Sequence, residues 1–398
     1  MLTIDSVYRA KRALEGVARK TDVIYAPKLC PGTELYLKTE NLQVTGSFKV
    51  RGAYYKMTCL SEEEKARGVV ACSAGNHAQG VALAAKKNGI KAVICLPDGA
   101  PISKVEATKS YGAEVCLVEG VYDDAYQKAL QLRDEKGYTF LHPFNDEEVI
   151  AGQGTIALEI MEQLPDVDAV IVPIGGGGLI SGIAYTIKTL NPRVKVYGVE
   201  ASGAPSMKNA LKEGSLATLS SVSTIADGIA VKQPGDLTYE LCNKFVDDIV
   251  TVTDDEISAA ILALMETQKL VTEGAGAVAV AAAMFNKVDL TGKKTVCLLS
   301  GGNIDVTILS RVISRGLLMS GRNCQLRIEL VDKPGQLKNV SRIIADLGGN
   351  VTSVRHERSN EGSDVNGCYL RIVLETRNFE HIEQIRKALQ AEGFKLID

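Results

Sequence analysis

The chain has 398 residues, a formal net charge of -3 and a pI near 6.0, so it can hold two or three domains and has no polyelectrolyte character; nucleic acid is not an expected partner. No uncharged apolar run reaches the ~18 residues of a membrane span, and Met1-Leu2-Thr3-Ile4-Asp5 lacks the basic start and apolar stretch of a signal peptide, so a soluble, cytoplasmic protein without membrane partners is expected. Nine cysteines stand singly, without a C-x-x-C pair, as small hydrophobes of a reducing compartment, and four histidines show no ligand spacing, so no metal is expected.

The first informative stretch is Thr45-Gly46-Ser47-Phe48-Lys49-Val50-Arg51-Gly52-Ala53, one lysine in a small, apolar, Gly-flanked setting. Burial there disfavours the ammonium and makes the neutral amine available for an imine, although most lysines are solvated surface charges. From Val69 to Ser320 short β-branched runs alternate with longer amphipathic ones, the pattern of strands joined by crossover helices. Core strands are expected at 68–73, 91–96, 113–118, 169–174, 194–200 and 294–299, buried on both faces as in a parallel sheet. Pro101 and Thr253-Asp254-Asp255-Glu256 mark helix starts.

Ser73-Ala74-Gly75-Asn76-His77 sits where a strand hands over to a helix, the end at which α/β folds bind ligands. Its amides and hydroxyl suit a carboxylate, or it is an ordinary Ser/Asn cap. Pro173-Ile174-Gly175-Gly176-Gly177-Gly178-Leu179 places four glycines between a buried strand and a helix, where backbone amides converge on an anion. Glu200 stands where a dinucleotide fold has its ribose-binding acid, but Ile180 and Ser181 break G-x-G-x-x-G in every register, so the loop suits one phosphate. Glu273 reads as a first-turn carboxylate of the helix that follows it rather than a catalytic acid. Leu299-Ser300-Gly301-Gly302-Asn303 is a further strand end with a polar residue that could face a ligand or cap a helix.

After about Gly321 the pattern changes. Gln325 to Leu330 alternates as a one-sided strand, a helix ends at Gly348-Gly349, 351–358 and 369–376 make a hairpin around a Gly- and Asn-containing loop, and a helix over 380–390 precedes a last short strand. The order β-α-β-β-α-β is ferredoxin-like. A unit of roughly 75 residues gains from pairing with a second copy.

An imine-forming lysine, a monophosphate cradle and polar groups at two more strand ends together fit pyridoxal 5'-phosphate. On Gly46 to Ala53, Ser73 to His77, Gly175 to Leu179 and Ser300 to Asn303, the chain resembles the fold type II pyridoxal-phosphate enzymes, most closely the threonine dehydratases, over about residues 5 to 320. From Leu330-Val331-Asp332-Lys333-Pro334-Gly335-Gln336-Leu337 onward it resembles an ACT domain, a module that binds amino acids in many metabolic enzymes. The resemblance implies a catalytic unit of two parallel-sheet α/β subdomains over 1–320 and a regulatory unit over 321–398. It further implies Lys49 as the imine-forming lysine with Phe48 beside it, Gly175, Gly176, Gly177, Gly178 and Leu179 on the phosphate, Asn76 on the ring oxygen and Ser300 on the pyridine nitrogen. Ser73, Gly75, Asn76 and His77 would hold the substrate carboxylate.

A neutral serine at the pyridine nitrogen leaves the ring a weaker electron sink than an aspartate would, which suits β-elimination over transamination. Lys49 would remove the Cα proton while the β-hydroxyl leaves with the cofactor phosphate as acid, and the released enamine hydrolyses to a 2-oxo acid and ammonia. Serine racemases resemble the chain almost as well, but their second base is a serine where this chain has Ala74. A non-catalytic amino-acid sensor is the remaining alternative, against which the full set of cofactor residues stands. The family's divalent-cation site begins at an acid matching Glu200 and ends at an acid matching Ser206, a substitution that removes a ligand. A homodimer or homotetramer is expected, and the catalytic residues are the same for isoleucine synthesis and threonine breakdown.

Overall fold

The computed structural model describes residues 2–100, 102–358 and 367–397, with the side chain of Ser103 excluded. Two compact units divide at Ile308 and Leu309, within the helix Val306–Met319.

The large unit holds two sheets. In chain order its strands are β1 Val23–Tyr25, β2 Glu34–Lys38, β3 Val69–Cys72, β4 Ala92–Pro97, β5 Glu114–Val118, β6 Thr139–Phe140, β7 Ala169–Pro173, β8 Lys195–Ala201, β9 Asp248–Val252 and β10 Lys294–Leu298. One sheet runs β5-β4-β3-β6 and is wholly parallel. The other runs β1-β2-β10-β7-β8-β9 and is parallel except for β1, which pairs antiparallel with β2. All six expected strands are present. β3 and β7 are buried throughout, as near-continuous Val, Ile and Ala runs require. The expectation of two-faced burial fails for Glu114–Val118: this strand closes the edge of its sheet, and Glu114 and Leu117 are exposed. β1, β2, β6 and β9 fall outside the expected set, because each is short or mixed in polarity and becomes a strand only beside a sheet edge already formed.

Thr253 caps the helix Asp254–Ala263 as expected, accepting from the Glu256 amide at 3.3 Å while the Glu256 carboxylate accepts from the Thr253 amide at 2.8 Å. Pro101, expected to start a helix, lies outside the described residues; the helix Ile102–Ser110 follows it. Helix Lys49–Thr58 packs closely against Glu147–Gln163, where a Cβ on Gly152 would lie 2.6 Å from the Gly52 Cα. Those two glycines let the backbones meet.

In the small unit, β11 Asn323–Val331, β12 Asn350–Glu357, β13 Gly367–Glu375 and β14 Lys395–Ile397 form an antiparallel sheet of order β12-β13-β11-β14. With helices Gln336–Asp346 and Phe379–Ala391 it makes the β-α-β-β-α-β order read from the sequence, around a core that includes Ile328, Ile344, Ile372 and Leu389. Residues 359–366, within the expected hairpin loop, lie outside the described residues.

Candidate active site

The carboxyl ends of β3, β7 and β10 and the start of helix Lys49–Thr58 surround one cavity of about 730 Å³ in the large unit. Phe48, Lys49, Ser73, Gly75, Asn76, His77, Gly175, Gly176, Gly177, Gly178, Leu179 and Ser300 all line it. The approach to Lys49 is fixed by the segment that follows β10: Ser47 bridges Gly301, and the Phe48 amide donates to the Ser300 carbonyl at 3.2 Å.

The Lys49 amine donates to the Pro143 carbonyl at 3.0 Å, and its accessible surface faces the cavity. Burial lowers its pKa to about 8, against the opposing charge of Glu273. At a pKa of about 8 a minority of the amine is neutral near physiological pH, far more than for an ordinary lysine, and that form is a nucleophile toward an aldehyde and a base toward a carbon acid.

Gly177, with φ +96, caps the helix Gly178–Leu190 in the left-handed region. A Cβ on Gly176 would lie 2.3 Å from the Phe144 ring, and one on Gly178 2.7 Å from the Phe144 carbonyl. The loop therefore has no room for side chains at Gly176 and Gly178, and Gly178 and Leu179, whose first-turn amides have no intrahelical acceptor, line the cavity, as an anion cradle requires. Thr238 fastens it by donating from Oγ1 to the Gly176 carbonyl at 2.6 Å.

Gly75 caps the helix Asn76–Asn88 with no side-chain hydrogen bond, so a second helix N-terminus opens on the same cavity. The His77 ring is bonded to the Leu141 carbonyl at 3.0 Å, and burial lowers its pKa to about 3. His77 is thus a neutral, inward-turned ring, and what it offers a carboxylate is its backbone amide. Asn76 donates to Glu273 at 2.6 Å and accepts from Asn303 at 2.8 Å. Ser300 donates to the Ala275 carbonyl at 3.2 Å.

Glu273 departs from its expected role. It caps the helix Gly274–Met284 without a side-chain hydrogen bond to that helix, and its carboxyl turns into the cavity instead. Burial raises its pKa to about 7. His142, Tyr122 and Lys104 also line the cavity and had no signal in the sequence, since His142 lies in a loop and Tyr122 and Lys104 in the first turns of helices Tyr122–Lys136 and Ile102–Ser110, none at a Gly-rich strand end. Glu200 lies elsewhere in its work: its two oxygens accept from the Met207 and Lys208 amides at 2.8 and 2.9 Å, holding the helix Ser206–Glu213. Among the described residues, no group of three His, Cys, Asp or Glu gathers around it.

Comparison with known proteins agrees with this geometry. Residues 14–301 match the model of the pyridoxal-phosphate dependent enzyme family and residues 325–393 that of the ACT domain. The chain is 51% identical to an L-threonine ammonia-lyase of Thermotoga maritima over 398 residues, covering 100% of this chain and 99% of that protein. Among solved structures, the processed form of threonine deaminase isoform 2 from Solanum lycopersicum is 40% identical with a TM-score of 0.75, over 79% of this chain and 88% of that one. Maize serine racemase is 36% identical with a TM-score of 0.75, over 80% and 98%. The chain belongs to the pyridoxal-phosphate dependent enzymes and carries a C-terminal ACT domain. Its residues fit that cofactor: a low-pKa amine for the aldehyde and a side-chain-free cradle at a helix N-terminus for the phosphate.

Proposed function

We propose that the chain is a threonine ammonia-lyase that converts L-threonine to 2-oxobutanoate and ammonia, and L-serine to pyruvate as a side activity, with an amino-acid effector acting through the ACT domain. The observation that carries the reading is the Lys49 amine, held at a cavity shared with two helix N-termini and depressed to about 8.

Pyridoxal phosphate, when bound, supplies an aldehyde for the substrate amine and a ring that withdraws electrons from Cα. The amides at the start of helix Asn76–Asn88 and the Ser73 hydroxyl orient the substrate carboxylate. Lys49 Nζ, in its neutral form, takes the Cα proton. Ser300 offers the ring nitrogen a neutral hydroxyl rather than a carboxylate, which favours elimination. Ala74, in the same wall, presents a methyl group at the position where racemases carry their second base, so proton return to the opposite face lacks a donor there. Isoleucine or valine is the proposed effector, bound near Asp332 to Leu337, and a soluble, cytoplasmic homodimer or homotetramer the proposed state.

The test is Lys49→Ala. Threonine turnover should fall by at least about 10³-fold with the circular dichroism unchanged; a folded variant that keeps its turnover overturns the assignment. D-serine formation from L-serine at a rate comparable to pyruvate release would favour the racemase reading instead.

A further inference from the structure

The small unit carries three donor side chains that the proposed reaction does not use. Asp332 follows β11, His356 lies near the end of β12 and Cys368 near the start of β13. Leu330 is in register with Cys368, and His356 with Leu370. Alternate residues of a strand share a face, so Cys368, Leu370 and His356 project with Leu330 toward the side on which Leu330, Cys368 and Leu370 are buried. There, one ligand atom each from Asp332, His356 and Cys368 lie within 4.8 Å of one another, at a cavity of about 420 Å³.

We infer that Asp332, His356 and Cys368 form a binding site for one divalent cation of the zinc and cobalt class. A carboxylate oxygen, an imidazole nitrogen and a thiolate are the donors such ions take, whereas magnesium and calcium are held by oxygen alone. The Asp332 Oδ1 and His356 Nε2 are already 3.9 Å apart. Around a tetrahedral zinc with bonds of ~2.0–2.3 Å, neighbouring donors stand roughly 3.3–3.7 Å apart, so the triad closes with a movement of about 1 Å. The two side chains that must move, His356 and Asp332, are 41% and 37% exposed. The second Asp332 oxygen is held by Arg358 Nε at 3.1 Å, which orients the carboxylate from outside the ligand set. Three protein ligands leave the fourth position to water or to a donor entering the cavity.

The cavity is also the one next to the proposed effector loop. The two readings separate experimentally, since cation binding is read from the metal's own spectrum without amino acid, and effector action from threonine saturation. The holoenzyme, freed of metal by chelator dialysis, is titrated with Co²⁺. One equivalent per chain should give intense tetrahedral d–d bands and a thiolate-to-metal charge-transfer band, both erased by Zn²⁺. Cys368→Ser should remove the charge-transfer band, and His356→Ala, at an exposed position, should weaken binding by more than about 100-fold, beyond the roughly 10–100-fold that loss of an outer-sphere partner costs. Cys59→Ser, an exposed cysteine of the large unit, should change neither. Only weak octahedral cobalt bands, or unchanged affinity in His356→Ala, would overturn the site.

Discussion

Lys49 and Glu273 share one cavity, and each bears on the other's proton. Burial lowers Lys49 to about 8 while the Glu273 carboxylate pulls it upward; burial raises Glu273 to about 7, with Asp227 adding to the rise and the Asn76 hydrogen bond opposing it. Only the neutral amine attacks an aldehyde, so the rate at which cofactor-free protein takes up pyridoxal phosphate should climb with pH through about 8, followed by visible absorbance. Glu273→Gln keeps an acceptor for Asn76 and removes the charge, so the midpoint should move to lower pH; an upward move, or a midpoint in the ordinary lysine range, contradicts the coupling. Lys49 was legible because its neighbours in the chain are small and apolar. Glu273 was not, since Thr272-Glu273-Gly274 reads as a helix start and its partner Asn76 lies 197 residues earlier.

Helix Lys49–Thr58 is set in place by an ion network that no local pattern announces. Arg51, 1% exposed, donates to Glu40 at 2.8 Å through Nε and Nη2 and to Glu159 at 2.7 and 2.9 Å, and Lys38 donates to Glu159 at 2.6 Å. Two cations and two carboxylates balance, with Thr21 and Thr155 completing the bonds. Arg51 stands two residues beyond Lys49, so the network fixes the turn that presents the amine. Arg51→Met would leave Glu40 and Glu159 buried against Lys38 alone and should cost about 3–5 kcal/mol in urea unfolding. A loss under about 1 kcal/mol would mean that the charges are solvated. Arg51 was visible in its motif, but its partners lie 11 and 108 residues away. The same limit hid β6, two residues long, whereas β7 and the Gly175–Leu179 turn were plain from a buried run followed by glycines.

For the whole molecule, the sequence showed the change of pattern near Gly321, because each strand and helix of the small unit carries its own period and turn. It did not show that the large unit holds two sheets by residue pattern alone, since their neighbouring strands come from distant segments: β10 lies between β2 and β7. The proposed division of labour between the units rests on the loop Asp332 to Leu337. Gly335, at φ +91, caps the helix Gln336–Asp346 in the left-handed region, with no side-chain cap, so the first-turn amides there are free for a carboxylate. Saturating isoleucine or valine should shift half-saturating threonine by about fivefold or more, the lower end of ordinary coupling. A β-branched residue at Gly335 opposes the left-handed backbone by about 1–2 kcal/mol and remodels the loop, so Gly335→Val should blunt the shift while effector-free kcat stays within about twofold. Should neither amino acid change the kinetics or give heat with the full-length chain in calorimetry, the loop has another ligand or none, and the ACT unit serves assembly alone.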